Sequence, residues 1–130
     1  MPCPIYRSFH RATHATTCAA GVDLDDPGAP AAISTAAVEH RCPACAETLD
    51  LFVEAYGAES GNLALRSVST GGLFVGGGIA PKILPALTDG RFMEALLAKG
   101  PLRELLANMP VQVILNPQAG LLGAAVFASA

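Results

Sequence analysis

Only two stretches of this sequence read as β-strands, Leu73–Val75 and Val111–Leu115, and each lies between helical segments. The first is a short buried run, and the second is rich in β-branched residues. A helical crossover between them dictates parallel pairing, since a tight hairpin is ruled out. Two short parallel strands do not make an independent sheet, and their edges would stay open to other chains. The order helices, strand, helices, strand, helix therefore describes part of a larger α/β sheet.

The helices follow from period and punctuation. A helix is expected over about Ala31 to Glu39. From Pro43, suited to a first helical turn, Leu49, Phe52, Val53 and Tyr56 recur at helical spacing towards Val68. Gly57 and Gly61 interrupt this rod with Ala58, Ser60 and Ala64 around them. An interior glycine costs a helix about 1 kcal/mol against alanine, so two of them imply the close approach of another backbone. Shorter helices are expected over Pro81–Leu87, Gly90–Leu97 and Leu102–Ala107. Asn116 and Pro117 would cap and open the last one, with Gly120, Gly123 and Ala124 as its small-residue face. Residues 1–30 carry little pattern and form a poorly defined N-terminal segment, in which Tyr6 and Phe9 suit one face of a short helix. Residues 31–130 form the α/β segment.

Composition narrows the function. The chain is 52% hydrophobic and 15% charged, which supports a packed fold and excludes disorder. Its eight Lys and Arg are scattered among eleven acids, so no basic surface for nucleic acid is expected. Ala119–Ala130 is too short to span a bilayer, which takes about 20 residues, and no signal pattern opens the chain. A cytoplasmic protein is expected, with reduced thiols at Cys3, Cys18, Cys42 and Cys45.

The most pointed chemical feature is Leu73-Phe74-Val75-Gly76-Gly77-Gly78-Ile79-Ala80-Pro81-Lys82. A strand entering three glycines lets a ligand lie against main chain, with helix-start N–H groups to favour polar or anionic atoms. Neither a dinucleotide fingerprint nor a P-loop is present. A glycine turn that merely eases a tight corner has the same spacing, and both readings stand at this point. Cys42-Pro43-Ala44-Cys45 suits a redox pair, half of a zinc site completed by His40 with Cys18 or His14, or two thiols packed at a helix start. His10, His14 and His40 have no nucleophile paired with them. Asp23, Asp25 and Asp26 read as a solvated acidic loop, and Arg66, Arg91, Lys99 and Arg103 as surface charges. Lys82, just past the glycines, has a modest claim as a binding residue.

From about Cys45 onward the chain resembles bacterial glucokinases, of the sugar kinase, hsp70 and actin superfamily. The resemblance rests on Ala46–Phe52, Tyr56-Gly57-Ala58-Glu59-Ser60-Gly61-Asn62-Leu63-Ala64-Leu65, Gly71 to Ile83, Phe92, Lys99-Gly100, Met109-Pro110-Val111 and Ala119–Ala125, all in one collinear order. It implies the C-terminal half of a ribonuclease H-like, actin-like ATPase large domain, helix-rich with two short parallel strands. It also implies an adenosine motif at Gly76, Gly77, Gly78 and Ile79, which would support ATP, with Mg²⁺ accompanying the nucleotide. The implied activity is ATP-dependent phosphorylation of glucose to glucose 6-phosphate in glycolysis. The last helix would pack against the large-domain sheet.

Members of that family also carry a glycine-rich hairpin, a catalytic Asp, a Glu-x-Gly-His segment and a second phosphate loop, none of them found here. Ser69-Thr70-Gly71-Gly72 only superficially looks like the last. The expectation is therefore a chain without catalytic residues or metal ligands of its own, inactive alone. Its partners would be ATP, glucose only in the complete enzyme, and a missing N-terminal half or further copies of itself. A non-catalytic interaction or assembly fragment is the first rival, and a small Cys-x-x-Cys metal or redox protein the second.

Overall fold

The computed structural model describes residues 26–129. Two helices build its frame. Helix α1 (Ala29–Val38) starts after Asp26, whose Oδ1 accepts a hydrogen bond from the Gly28 N–H at 2.8 Å, and Pro30 sits in its first turn. Helix α2 (Pro43–Ser67) runs 25 residues from an extended Cys42, with Pro43 in its first turn as the sequence predicts. Both end in the same way. The Val68 and Ser69 N–H groups donate to Leu65 and Ala64 carbonyls, and His40 and Arg41 donate likewise to Ala37 and Ala36. These are the paired bonds of a Schellman ending, with Val68 (φ 47°) and His40 (φ 54°) in the left-handed conformation that glycine usually takes.

Strand β1 (Leu73–Val75) is followed by α3 (Leu84–Thr88), α4 (Arg91–Leu97), a 3₁₀ turn (Gly100–Leu102), α5 (Arg103–Ala107), strand β2 (Val111–Val113) and α6 (Ala119–Ala128). The strands pair in parallel, Leu73 with Val111 and Val75 with Val113. β2 is shorter than the predicted Val111–Leu115, although the Ile114 N–H still donates to the Val75 carbonyl at 2.8 Å. Gly72 (φ 117°) brings the chain alongside Pro110, whose carbonyl oxygen would lie 3.0 Å from any Cβ placed there. The Leu73 N–H bonds that same carbonyl at 2.8 Å. Ser69–Gly72 is thus the lead-in to the ladder, built for close approach.

The core lies where α2 crosses α4, and there the two helix glycines find their reason. A Cβ on Gly57 would run into the Phe92 carbonyl group, and one on Gly61 would stand 2.5 Å from the Leu96 carbonyl oxygen. Ile33, Val53, Ile83, Leu96 and Leu106 are fully buried around this crossing. Full burial of each such side chain contributes about 1.5–3 kcal/mol. Across the helices Tyr56 stacks edge-on to Phe92 with ring centroids 5.7 Å apart.

Predicted helix starts move as well. Pro81–Ile83 forms turns, so the helix predicted over Pro81–Leu87 begins only at Leu84. The last helix opens at Ala119 with Gln118 as its cap. Asn116 instead folds the preceding turn, its Oδ1 accepting from the Gln118 N–H at 2.9 Å, which uses up the side chain predicted to cap the helix. Among the described residues nothing from outside the helix lies within 4 Å of a Cβ placed on Gly120 or Gly123, on the small-residue face of α6. Its predicted seat against a sheet is not formed by the described residues.

Candidate functional site

The glycine corner sits at the carboxyl end of β1. Val75 is buried, and directly after it the chain turns through Gly76, Gly77 and Gly78, all exposed. A Cβ on Gly76 would touch the Ile114 Cδ1 at 3.4 Å, an ordinary contact. Gly77 has φ 106°, which excludes most side chains, and neither it nor Gly78 has any atom within 4 Å of a Cβ position. Ile79 is 58% exposed, while Ala80 and Ile83 behind it are buried and anchor the turn. The Ile79 carbonyl accepts from the Lys82 and Ile83 N–H groups.

All four residues singled out in the sequence therefore lie together on one shelf, which the described residues leave bare above Gly77 and Gly78. The expected helix start behind it is absent, because α3 begins five residues beyond Ile79. The shelf offers a flat main-chain surface and one exposed aliphatic side chain, which suits a planar ring better than a lone anion. Lys82 is exposed beside it. Two cavities lie elsewhere. One, of about 460 Å³, runs between α2 and α4, lined by Leu51, Glu54, Arg91 and Lys99 among others. The other, of about 250 Å³, lies behind the ladder and shares Val75 with the shelf's root, with Thr88, Phe92 and Met93 around it. None of Gly76–Ile79 lines either of these two cavities.

The remaining candidates resolve differently. Cys42 and Cys45 are buried in the hydrophobic core at the start of α2. Among the described residues no three His, Cys, Asp or Glu side chains converge to hold a metal ion. Cys3, Cys18, His10, His14, Asp23, Asp25 and the predicted Tyr6–Phe9 helix lie outside the described residues. Lys99 is more than a surface charge. Its Nζ donates to the Ala58 carbonyl at 2.9 Å and to Asn62 Oδ1 at 2.7 Å, tying the end of α4 to the middle of α2. Arg91 pairs with Asp50 across the same helices. Neither tie was visible in the sequence, because each joins residues about forty positions apart with no local signal.

A helix-rich α/β segment with parallel strands and a glycine-only corner at a strand's carboxyl end belongs to the class of folds that place ligands at such ends. Comparison with known proteins narrows the class. The glucokinase family model matches residues 4–130. Glucokinase of Nostoc punctiforme is 55% identical over 104 residues, covering 80% of this chain and 30% of that protein. Glucokinase of a Synechocystis species is 50% identical over 99 residues, or 76% of this chain and 28% of that protein. The crystal structure of a glucokinase from an Antarctic psychrotroph superposes with a TM-score of 0.76 at 31% identity, covering 95% of this chain and 36% of the other. The chain belongs to the glucokinase family. It spans about 30% of the length of the curated relatives it matches.

Proposed function

We propose that this chain forms the adenosine-binding side of a glucokinase-type enzyme, within the C-terminal half of a ribonuclease H-like large domain. The complete enzyme would move the γ-phosphoryl group of ATP to the 6-hydroxyl of glucose, giving glucose 6-phosphate and ADP for glycolysis. The observation that carries this reading is the bare corner Gly76–Ile79, in a chain whose relatives are glucokinases. Family membership weights the ligand reading of the glycines over a mere tight corner, and the empty space above Gly77 and Gly78 supports it.

The residues present fit a nucleoside. Gly77 and Gly78 leave room for a purine and ribose to rest on main chain, and Ile79 presents an apolar edge to the ring. Positioning of this kind holds the nucleotide where its phosphates can meet a sugar bound by other parts of the enzyme. Mg²⁺ would arrive on the phosphates and neutralise their charge, and this chain's share is to hold and orient the adenosine. A kinase that draws on cellular ATP would work in the cytoplasm. Among the described residues no helix is long and apolar enough to cross a membrane.

Amide chemical shifts of the chain titrated with adenosine test the reading. The Gly76–Ile79 amides should move first and saturate together, and Gly78→Val should abolish the response. Shifts confined to another surface, or none at millimolar adenosine, would refute it.

A further inference from the structure

The two chain segments that leave the carboxyl end of the β1–β2 ladder are almost without charge. Lys82 is the only charged side chain between Arg66 and Asp89, and none follows Glu104. The exit of β2 stands against the glycine corner. The Ile114 N–H donates to the Val75 carbonyl at 2.8 Å, and its Cδ1 would lie 3.4 Å from a Cβ on Gly76. Asp89, the nearest acid in sequence, is engaged elsewhere: its Oδ1 accepts from the Arg91 N–H and its Oδ2 pairs with the Arg91 guanidinium. The corner therefore carries one cation that neither strand exit offsets.

Lys82 is fixed at its base and loose at its tip. Its N–H donates to the Ile79 carbonyl at 2.9 Å, which closes a tight turn. Residues three apart in such a turn lie one above the other. Burial follows that step: Ala80 and Ile83 are in the core, while Ile79 and Lys82 both stand out to solvent. Arg91 and Lys99 are spent on ties between helices. Among the described residues the Lys82 ammonium holds no ion pair.

We propose that Lys82 is a specificity-determining residue of the corner: its ammonium contacts a phosphate group of a nucleotide whose adenosine lies on Gly76–Ile79. The corner then selects adenosine phosphates over adenosine. This rests on the nucleotide reading of the corner and adds the charge that reading lacks, since three glycines and an isoleucine offer an anion no full charge. Lysine suits the task, because a point charge on a flexible stem follows a phosphate without demanding one geometry. At an exposed site the gain is modest, and salt screens it.

The test titrates the full 130-residue chain with adenosine and with ADP, free of Mg²⁺ and at low salt, following the Gly76–Ile79 amide shifts. ADP should bind about fivefold more tightly than adenosine, and the ratio should shrink as salt is raised. Lys82→Gln should erase the ratio while leaving adenosine affinity unchanged, and Lys82→Arg should keep it. Equal thermal unfolding of the three chains would confirm that neither substitution disturbs the fold. Equal affinity for adenosine and ADP, or a preference for ADP that survives Lys82→Gln, overturns the proposal and leaves the adenosine reading standing. If neither ligand moves these amides, both fall together.

Discussion

Gly57 and Gly61 stand where alanine would ordinarily be the better helix residue. In an exposed helix, glycine to alanine gains about 1 kcal/mol. Here the added Cβ would meet backbone carbonyl oxygens of Phe92 and Leu96, and backbone cannot swing aside as a side-chain tip does. Overpacking of this kind costs about 1–3 kcal/mol or more, so the clash wins and the sign reverses. Gly61→Ala should lower the thermal midpoint, whereas Gly71→Ala, with no described atom within 4 Å, should change stability by no more than about 0.5 kcal/mol. This close approach was legible in the sequence because glycine weakens a helix interior, and a strong helix keeps two of them where a neighbouring backbone leaves no room for a Cβ. Tyr56 carried no such signal. Packed against Phe52 and Phe92, its hydroxyl has a pKa raised above 10.0 by burial. Below pH 10 the phenol is protonated folded or unfolded. Between 10 and the raised value only the unfolded chain gives up its proton, so stability falls as pH rises through that window. Tyr56→Phe should flatten the alkaline limb of a plot of midpoint against pH, and an unchanged limb would mean the ring is effectively solvated.

Among the elements, α1 and α2 end alike, and both endings place a residue with a Cβ in the left-handed region. Val68 is the harder case, because branching at Cβ crowds the backbone most there. It is 60% exposed, so its side chain contributes little burial to offset that cost. Val68→Gly should raise stability by about 1 kcal/mol, read from urea unfolding with an unchanged slope. A loss would show that the side chain makes contacts worth more than the conformational strain. The same ending at His40 turns the chain from α1 into α2, and the sequence marks neither stop with glycine. The elements that sequence did mark clearly have strong local chemistry: Pro43 for the start of α2, branched residues for β1 and β2, and Gly76–Gly78 for the bare corner. Boundaries slipped where a side chain had two uses. Asn116 bonds the Gln118 N–H within its own turn, and so α6 starts later than a capping rule predicts. The covered face of α6 was read from Gly120 and Gly123, and among the described residues nothing stands against it.

The whole molecule divides into a closed side and an open one. Helices α1, α2 and α4 close over Val53, Ile83 and Leu96, with Lys99 and Arg91 tying α4 to α2. The open side holds the corner, the outer ladder face and α6. The proposed adenosine shelf would fix one end of one substrate, whereas phosphoryl transfer also requires a held sugar, a base for its hydroxyl and charge to offset three phosphates. Among the described residues the shelf is flanked by Lys82 and apolar groups, and no carboxylate lines the cavity that shares Val75 with it. Binding without alignment lowers the free energy of the bound nucleotide and leaves the barrier to transfer in place. The purified chain with ATP, Mg²⁺ and glucose should therefore release no ADP above a glucose-free control in a coupled assay. Joined to the remainder of a glucokinase it should support turnover, and Gly78→Val should then raise KM for ATP at least tenfold with little change in KM for glucose. A change confined to glucose would mean that the corner faces the sugar.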